Sequence, residues 1–404
     1  MKGLIRAALY LPPLLIVGCG GNEPQQPMMG ADALMSSGAL GTGPAKGNVA
    51  KKQPDLGVDS SLNGFRPFDD TSLWNKTVDH SAVDPSSDAI IAKMGADKPL
   101  ARDFGAADKE GKPYGIPYVV VSADAPRAAI TFSDAKASDA GPYPFPSSIP
   151  IEATSDAHAI VIDRDAMKLY ETSGTSPDGT GFKATSGAVF DLRVDTPRKA
   201  GMVSSDVSGL PVFPGLLRTD EVVGSTGIQH ALRFTAAAVA STFTAPATGS
   251  VPAAPNILSG GPIAITTSPG TAGPAAVPGT ATPTTTATPA ATQTNLPPMG
   301  AHLRLKAKFD ITKYPPTAQT ILKALKKYGM ILSNQGADVT LDGAADPKWA
   351  DAELDSLSKV KLSDFEVIKI EVPKPPKGSS TSAGSTGTST STGSSTTSTS
   401  TTSK

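Results

Sequence analysis

Between Arg233 and Arg304 the chain runs for 70 residues without an Asp, Glu, Lys or Arg, and from Gly378 onward only Lys404 is charged. A globular domain carries charge on about a quarter of its residues, so neither run reads as folded body. Together they take up 97 of the 404 residues, and the other 307 hold 72 charges, an ordinary content for a globular protein. The chain is therefore expected to be a normal body interrupted and extended by uncharged filler. The interruption, centred on Gly270-Thr271-Ala272-Gly273-Pro274 and the Thr-rich run after it, has too few large apolar groups to offset its ordering entropy. The tail has 21 Ser or Thr among the 26 residues from Ser379. Both segments are expected to be disordered.

The N-terminus reads as an address. Lys2 and Arg6 precede the apolar stretch Ala7–Val17, which is too short for a comfortable permanent span. Ile16-Val17-Gly18-Cys19 then resembles the lipobox of bacterial lipoproteins, which makes Cys19 the expected lipidation site. Several acyl chains, at about 0.8 kcal/mol per buried CH₂, would hold the protein stably on a membrane. Gly20 rather than Asp follows the cysteine, which in this class favours the outer membrane of a Gram-negative cell envelope. Because Cys19 is the one cysteine, a disulfide within the chain and a cysteine-based zinc site are both excluded. The expected order is a signal peptide over 1–18, a flexible tether over 19–60, one β-rich domain over 61–243 and 297–372, a Thr/Pro/Ala-rich insertion over 244–296 and a Ser/Thr-rich tail over 373–404.

Strand signals outnumber helix signals in the body. His302–Ile311 alternates Leu303, Leu305, Ala307 and Phe309 with Arg304, Lys306, Lys308 and Asp310, a period of two over a half-buried sheet. Pro117–Ser122, Ala128–Phe132, Ser186–Val194 and Gln229–Thr235 read as further strands. His158–Ile162 and Met167–Glu171 flank Asp163-Arg164-Asp165-Ala166 as a hairpin. Helices are expected after Asp84-Pro85 up to Gly95, over Pro316–Tyr328, and from Asp346 to about Val360. Many strands with helices only at the margins predict a mainly β fold, an antiparallel sandwich or jelly roll with a few peripheral helices.

The usual catalytic signatures are missing: the sequence has no Gly-rich phosphate loop, no G-x-S-x-G elbow and no H-E-x-x-H. A net charge of −1 argues against a nucleic-acid partner. What remains is a set of acids and histidines at strand-like positions. Asp156 and His158 form a D-x-H that shares a face if the strand reaches that far. Glu171 ends the partner strand, Asp191 sits inside an apolar segment, Arg218 and Glu221 cluster before Val222, and His230 opens the next strand. An acid such as Asp191 among apolar neighbours must be paired or functional. One reading is a buried pair with Arg218 or Arg233; the other is a site that does acid/base work on a polysaccharide. Asp163-Arg164-Asp165 suggests a Ca²⁺ site, although solvated turns favour Asp in any case.

Ser155–Asp163, Leu169-Tyr170-Glu171, Ser186–Leu192, Gly209–Arg218 with Glu221, His230–Phe234, Pro298-Met299-Gly300 and Ala324–Gly336 together resemble a family of secreted bacterial proteins with no assigned activity. The resemblance spans nearly all of the 259-residue body and implies extracellular polymers as partners. In that family a shorter, more polar stretch joins the His230 strand to the Pro298 segment, and here the Thr/Pro/Ala run takes its place. The expected function is binding or degradation of an extracellular polysaccharide by a lipid-anchored envelope protein, with Asp156, His158, Glu171, Asp191, Arg218, Glu221 and His230 converging on one cleft. The alternative is a non-catalytic structural or adhesion lipoprotein. Substrate, metal and oligomeric state are not legible.

Overall fold

In the computed structural model, which describes residues 53–224, 227–252 and 294–369, strand predominates over helix and the sheets are mixed. The expected signal peptide, Cys19, most of the tether and insertion, and the tail lie outside the described residues. The body reaches further than composition indicates at two places. Gly57–Val58 (β1), within the expected tether, pairs antiparallel with Tyr118–Val121 (β3). Within the expected insertion, Ala247 and Thr248 are buried, and the Thr248 amide donates to Ser208 O at 2.8 Å.

The first sheet runs β1-β3-β5-β6-β9, where β5 is Ala159–Asp163, β6 Lys168–Ser173 and β9 Ser186–Asp191. The expected hairpin is the β5–β6 pair, with Ile160 opposite Glu171. This sheet is buried on both faces, which is why its strands read as continuous apolar runs rather than as alternation. Tyr118, Val120, Ile160, Ile162 and Leu169 face one core, and Val119, Val121, Ala159, Val161 and Tyr170 the other. Over the second face lie Tyr143, Phe145 and a small three-stranded sheet of Ile130–Phe132 (β4), Ser176–Asp178 (β7) and Gly181–Ala184 (β8), which contributes Phe182.

The second sheet runs β14-β11-β12-β10-β13-β2, made of Phe365–Val367, His302–Leu305, Met330–Gln335, Leu232–Ala236, Thr340–Leu341 and Ala101–Arg102 in that order. Its core joins Leu232 and Phe234 to Leu303, Met330 and Leu332, so both ends of the charge-free run and the residues flanking it share one interior. Pairings β3–β5, β10–β12, β13–β2 and β4–β8 are parallel, which corrects the expectation of purely antiparallel sheets. The β10–β12 crossover carries Pro316–Lys327 (α3), whose Ile321, Leu322 and Leu325 cover this core.

Two expected elements are shorter than their patterns. β11 stops at Leu305, and all four of its residues are buried, Arg304 included. The alternation put Arg304 in solvent, but β11 lies between β12 and β14, and Arg304 pairs with Glu366 at 2.7 Å while donating to Val78 O. The segment from Asp346 is not one helix. Trp349 turns inward, its Nε1 donating to Ala344 O at 2.7 Å, and helix begins only at Asp351–Leu354 (α4) before tightening into a 3₁₀ turn. The first helix, Ser87–Met94 (α1), ends at Gly95 in the left-handed region, as its sequence signals. One turn, Thr219–Val222 (α2), carries no sequence signal.

Candidate functional site

Between the two sheets runs the segment Ser204–Glu221, which sends Leu210 and Leu217 into one core and Val212, Phe213 and Leu216 into the other. Its polar side chains meet those that the sheets turn inward, and a buried ionic seam results. Period two places His158 with Ile160, and Glu171 with Leu169, on the face of the first sheet that looks toward this segment. His158 Nδ1 lies 2.6 Å from Glu152 Oε2, and its Nε2 lies 3.4 Å from Asp206 Oδ1. Asp206 Oδ2 meets Arg233 Nη2 at 2.8 Å, and Arg233 Nε donates to Asp342. Burial opposes the charge on His158, but the bonds to Asp206 and Glu152 outweigh it and push its pKa up to about 10.

Glu171 ties the seam to the backbone. Its carboxyl accepts the amides of Val212 and Phe213 at 2.8–3.0 Å and the Ser205 hydroxyl at 3.3 Å. Burial still pushes Glu171 up to about 7 against those donors. A second network closes beside it. Arg218 Nη2 donates to Glu221 and to Phe65 O, and its guanidinium sits 5.0 Å over the Phe213 ring. His230 Nε2 lies 3.1 Å from Glu221 Oε1, while Nδ1 faces Ala231 O at 2.8 Å. Both ring nitrogens thus meet oxygen atoms within hydrogen-bond distance. Burial works against the Glu221 charge, yet Arg218 and His230 hold its pKa below the ordinary carboxylate value. Arg218, Glu221 and His230 are 1%, 5% and 0% exposed, which leaves no route for a polymer to reach them.

Solvent does reach a groove of about 520 Å³ on one side of this segment. Gly209, Leu210 and Pro211 form part of its wall, held from behind by Asp206 and by the Glu171 bonds to Val212. Gly209 is required there: its φ is +73°, and a Cβ would overlap Met202 O and Thr248 Oγ1. Phe190, Asp195 and Arg198 come from the end of β9 and the loop after it, and Phe243 and Pro246 from beyond β10. Asp195 Oδ2 accepts the Ser72 hydroxyl at 2.6 Å, and Arg198 bridges to Asp139 at 2.6 Å while its guanidinium stands 6.0 Å from the Phe190 ring centre.

The seven expected site residues do not meet in one cleft. His158 and Glu171 belong to the first network, and Arg218, Glu221 and His230 to the second. Asp156 stays outside because the chain turns at Thr154–Ala157, with Ala157 at φ 44°, before β5 begins; its side chain is exposed and shares no face with His158. Asp191 closes β9 opposite Lys168 and pairs with Arg193 at 2.6 Å and Lys168 at 3.2 Å, not with Arg218 or Arg233. Those partners, Arg193 first, hold its pKa far below the usual range. At the Asp163 turn, Oδ1 accepts the amides of Asp165 and Ala166, and Asp165 accepts the Ala123 amide, so these acids cap turns rather than form a Ca²⁺ cage. Among the described residues no group of three or more His, Cys, Asp or Glu is placed to hold a metal ion.

Sequence reasoning missed Glu152, Asp206, Asp342 and Asp195. The first and third had a signal, since each follows an aliphatic residue in an apolar stretch, Ile151 and Leu341; Asp206 and Asp195, in polar loops, had none. No helix among the described residues is long and apolar enough to cross a membrane. No family model, no curated protein and no solved structure matches the chain.

Proposed function

We propose that this is a lipid-anchored envelope protein, attached through Cys19 to the outer membrane of a Gram-negative bacterium, whose β-rich body binds an extracellular polysaccharide without cleaving it. The observation that carries this reading is the groove, which offers the exposed Phe243 ring beside the Asp195 carboxyl, while the acid–histidine pair Glu221–His230 is sealed away. Aromatic faces take the C–H face of a sugar ring, and carboxyls take its hydroxyls. The resemblance to secreted bacterial proteins agrees with an extracellular polymer as partner. The two large sheets, facing across the Ser204–Glu221 segment, are read as a sandwich elaborated by parallel pairings.

The test is affinity electrophoresis and reducing-end release on a panel of plant, fungal and bacterial glycans. Retardation without new reducing ends is expected, with the retardation lost in Phe243→Ala. Reducing ends that disappear in Glu221→Gln or His230→Ala would restore the degrading reading. For the anchor, Cys19→Ser is expected to move the protein from the membrane fraction to the soluble one.

A further inference from the structure

We propose that the groove selects uncharged, hydroxyl-rich sugar residues and rejects acidic ones, an inference that rests on the polysaccharide reading above. Among the described residues that line it, Asp195 and Arg198 are the charged ones. Arg198 has already spent its charge. Its Nη1 and Nη2 lie 2.6 and 3.3 Å from the two oxygens of Asp139, Nη2 also donates to Ala137 O at 3.0 Å, and the side chain is 7% exposed. Its Nε has no hydrogen-bond partner but is buried, so the guanidinium presents no solvent-facing edge with which to grip a uronate or a sulfate.

Asp195 is the opposite case. Ser72 accepts the Trp74 amide at 3.1 Å and gives its own proton to Asp195 Oδ2, which fixes the carboxyl in place. Among the described residues Oδ1 has no partner and no cation pairs with the group. Burial first, and then the nearby Asp69, push the Asp195 pKa upward, the behaviour of an acid without a counter-charge. An anionic ligand would meet like charge here, whereas a sugar hydroxyl donates to Oδ1 at no electrostatic cost. The remaining polar groups of the lining, such as Thr71, Thr196 and Thr248, are neutral hydroxyls, and Phe243 and the prolines supply apolar faces. The chemistry is that of a neutral hexose: one face of C–H bonds and a rim of hydroxyls.

The experiment titrates the full chain, at low and high salt, against neutral polymers (a β-glucan and a mannan), acidic polymers (polygalacturonate and dextran sulfate) and cationic chitosan. Expected is binding to a neutral polymer that salt does not weaken, with acidic polymers bound at least about tenfold more weakly. Asp195→Ala is expected to lose about tenfold or more in affinity for the neutral polymer, in line with the loss of hydrogen bonds to a charged group. Asp195→Asn keeps the shape and one acceptor, so it should fall between the two if the fold is intact. Preference for an acidic polymer or for chitosan, or neutral binding indifferent to Asp195→Ala, overturns the inference and leaves polysaccharide binding standing. Binding to none of the polymers overturns both.

Discussion

Arg233 on β10 lies 2.8 Å from Asp206, so a buried ion pair joins the second sheet to the segment that walls the groove. Both side chains are 1% exposed or less. A buried pair of this kind adds little net stability, because desolvation offsets most of the attraction, but removing one partner strands the other. Asp206→Asn is therefore expected to cost about 3–5 kcal/mol, read as a lower urea midpoint with the slope unchanged. Adding Arg233→Met together with Asp342→Asn, so that Asp342 is not stranded in turn, should recover part of that loss. A combined variant as unstable as the sum of the single ones would show that these charges do not act on one another.

The Glu171 carboxyl makes stability depend on pH. Its folded pKa of about 7 lies above the ordinary glutamate value of 4.5, so between those limits the folded state binds more protons than the unfolded chain. Stability is then fully present below pH 4.5 and falls as pH rises toward 7, by a few kcal/mol in all. His158 continues the fall. With a folded pKa of about 10 against 6.5, its contribution is whole below pH 6.5 and is lost as pH rises through 10. Glu171→Gln mimics the protonated acid and should flatten the decline between pH 4.5 and 7 while leaving the alkaline part in place. Equal slopes for wild type and variant in urea melts across that window would refute the assignment.

How much of this was legible in the sequence depended on whether a signal is local. The β5–β6 hairpin and α3 were readable because their apolar period, turn residues and terminal glycine all lie within a few residues of one another. Asp191 and Asp342 show the limit. Each is an acid beside apolar strand residues, yet Asp191 ends an outer strand of its sheet beside Lys168 and Arg193, whereas Asp342 lies under Arg233. Whether a charge at the end of an apolar run faces solvent or a seam is decided by the neighbouring sheet, and the sequence does not carry that information. The same holds for Arg304, whose alternation promised water and whose strand lies inside the sheet. The groove was invisible for a related reason: its walls come from four segments spread over more than 170 residues.

His302 sets the acid limb of stability. It lies on β11 with Nε2 donating to Tyr328 O at 2.7 Å, while Nδ1 is buried without a partner, so the ring is held neutral. Burial lowers its pKa to about 4, with the Arg304 charge acting in the same direction. The unfolded chain therefore binds more protons between about 4 and 6.5, and stability falls as pH drops through that range. Combined with Glu171 and His158, this predicts a stability maximum in mildly acidic solution. His302→Gln keeps a donor for Tyr328 O and removes the titration, so thermal melts should show a shallower loss from pH 6.5 to 4 than in wild type. A variant with an unchanged acid limb would place the titrating group elsewhere.

Gly300 lies near the C-terminal end of the charge-free run, and its backbone leaves no room for a side chain. Its φ is +82°, a region that L residues other than glycine seldom occupy, and a Cβ would overlap Thr244 O and press on Ala247. The crowding comes from the segment that walls the groove, since Phe243 bridges to Met299 and the Thr244 amide donates to Met299 O at 2.8 Å. Gly300→Ala is thus expected to cost about 1–3 kcal/mol from backbone strain alone, with more from displacement of Thr244–Ala247. Because Phe243, Pro246 and Ala247 line the groove, the variant should also weaken glycan retardation in affinity electrophoresis under conditions where it remains folded. Gly111→Ala, at an exposed turn with similar φ and open space around it, is the control for strain without crowding: a smaller stability loss and unchanged retardation are expected. If Gly300→Ala binds as the wild type does, the packing of Gly300 against Thr244–Ala247 does not set the shape of the groove.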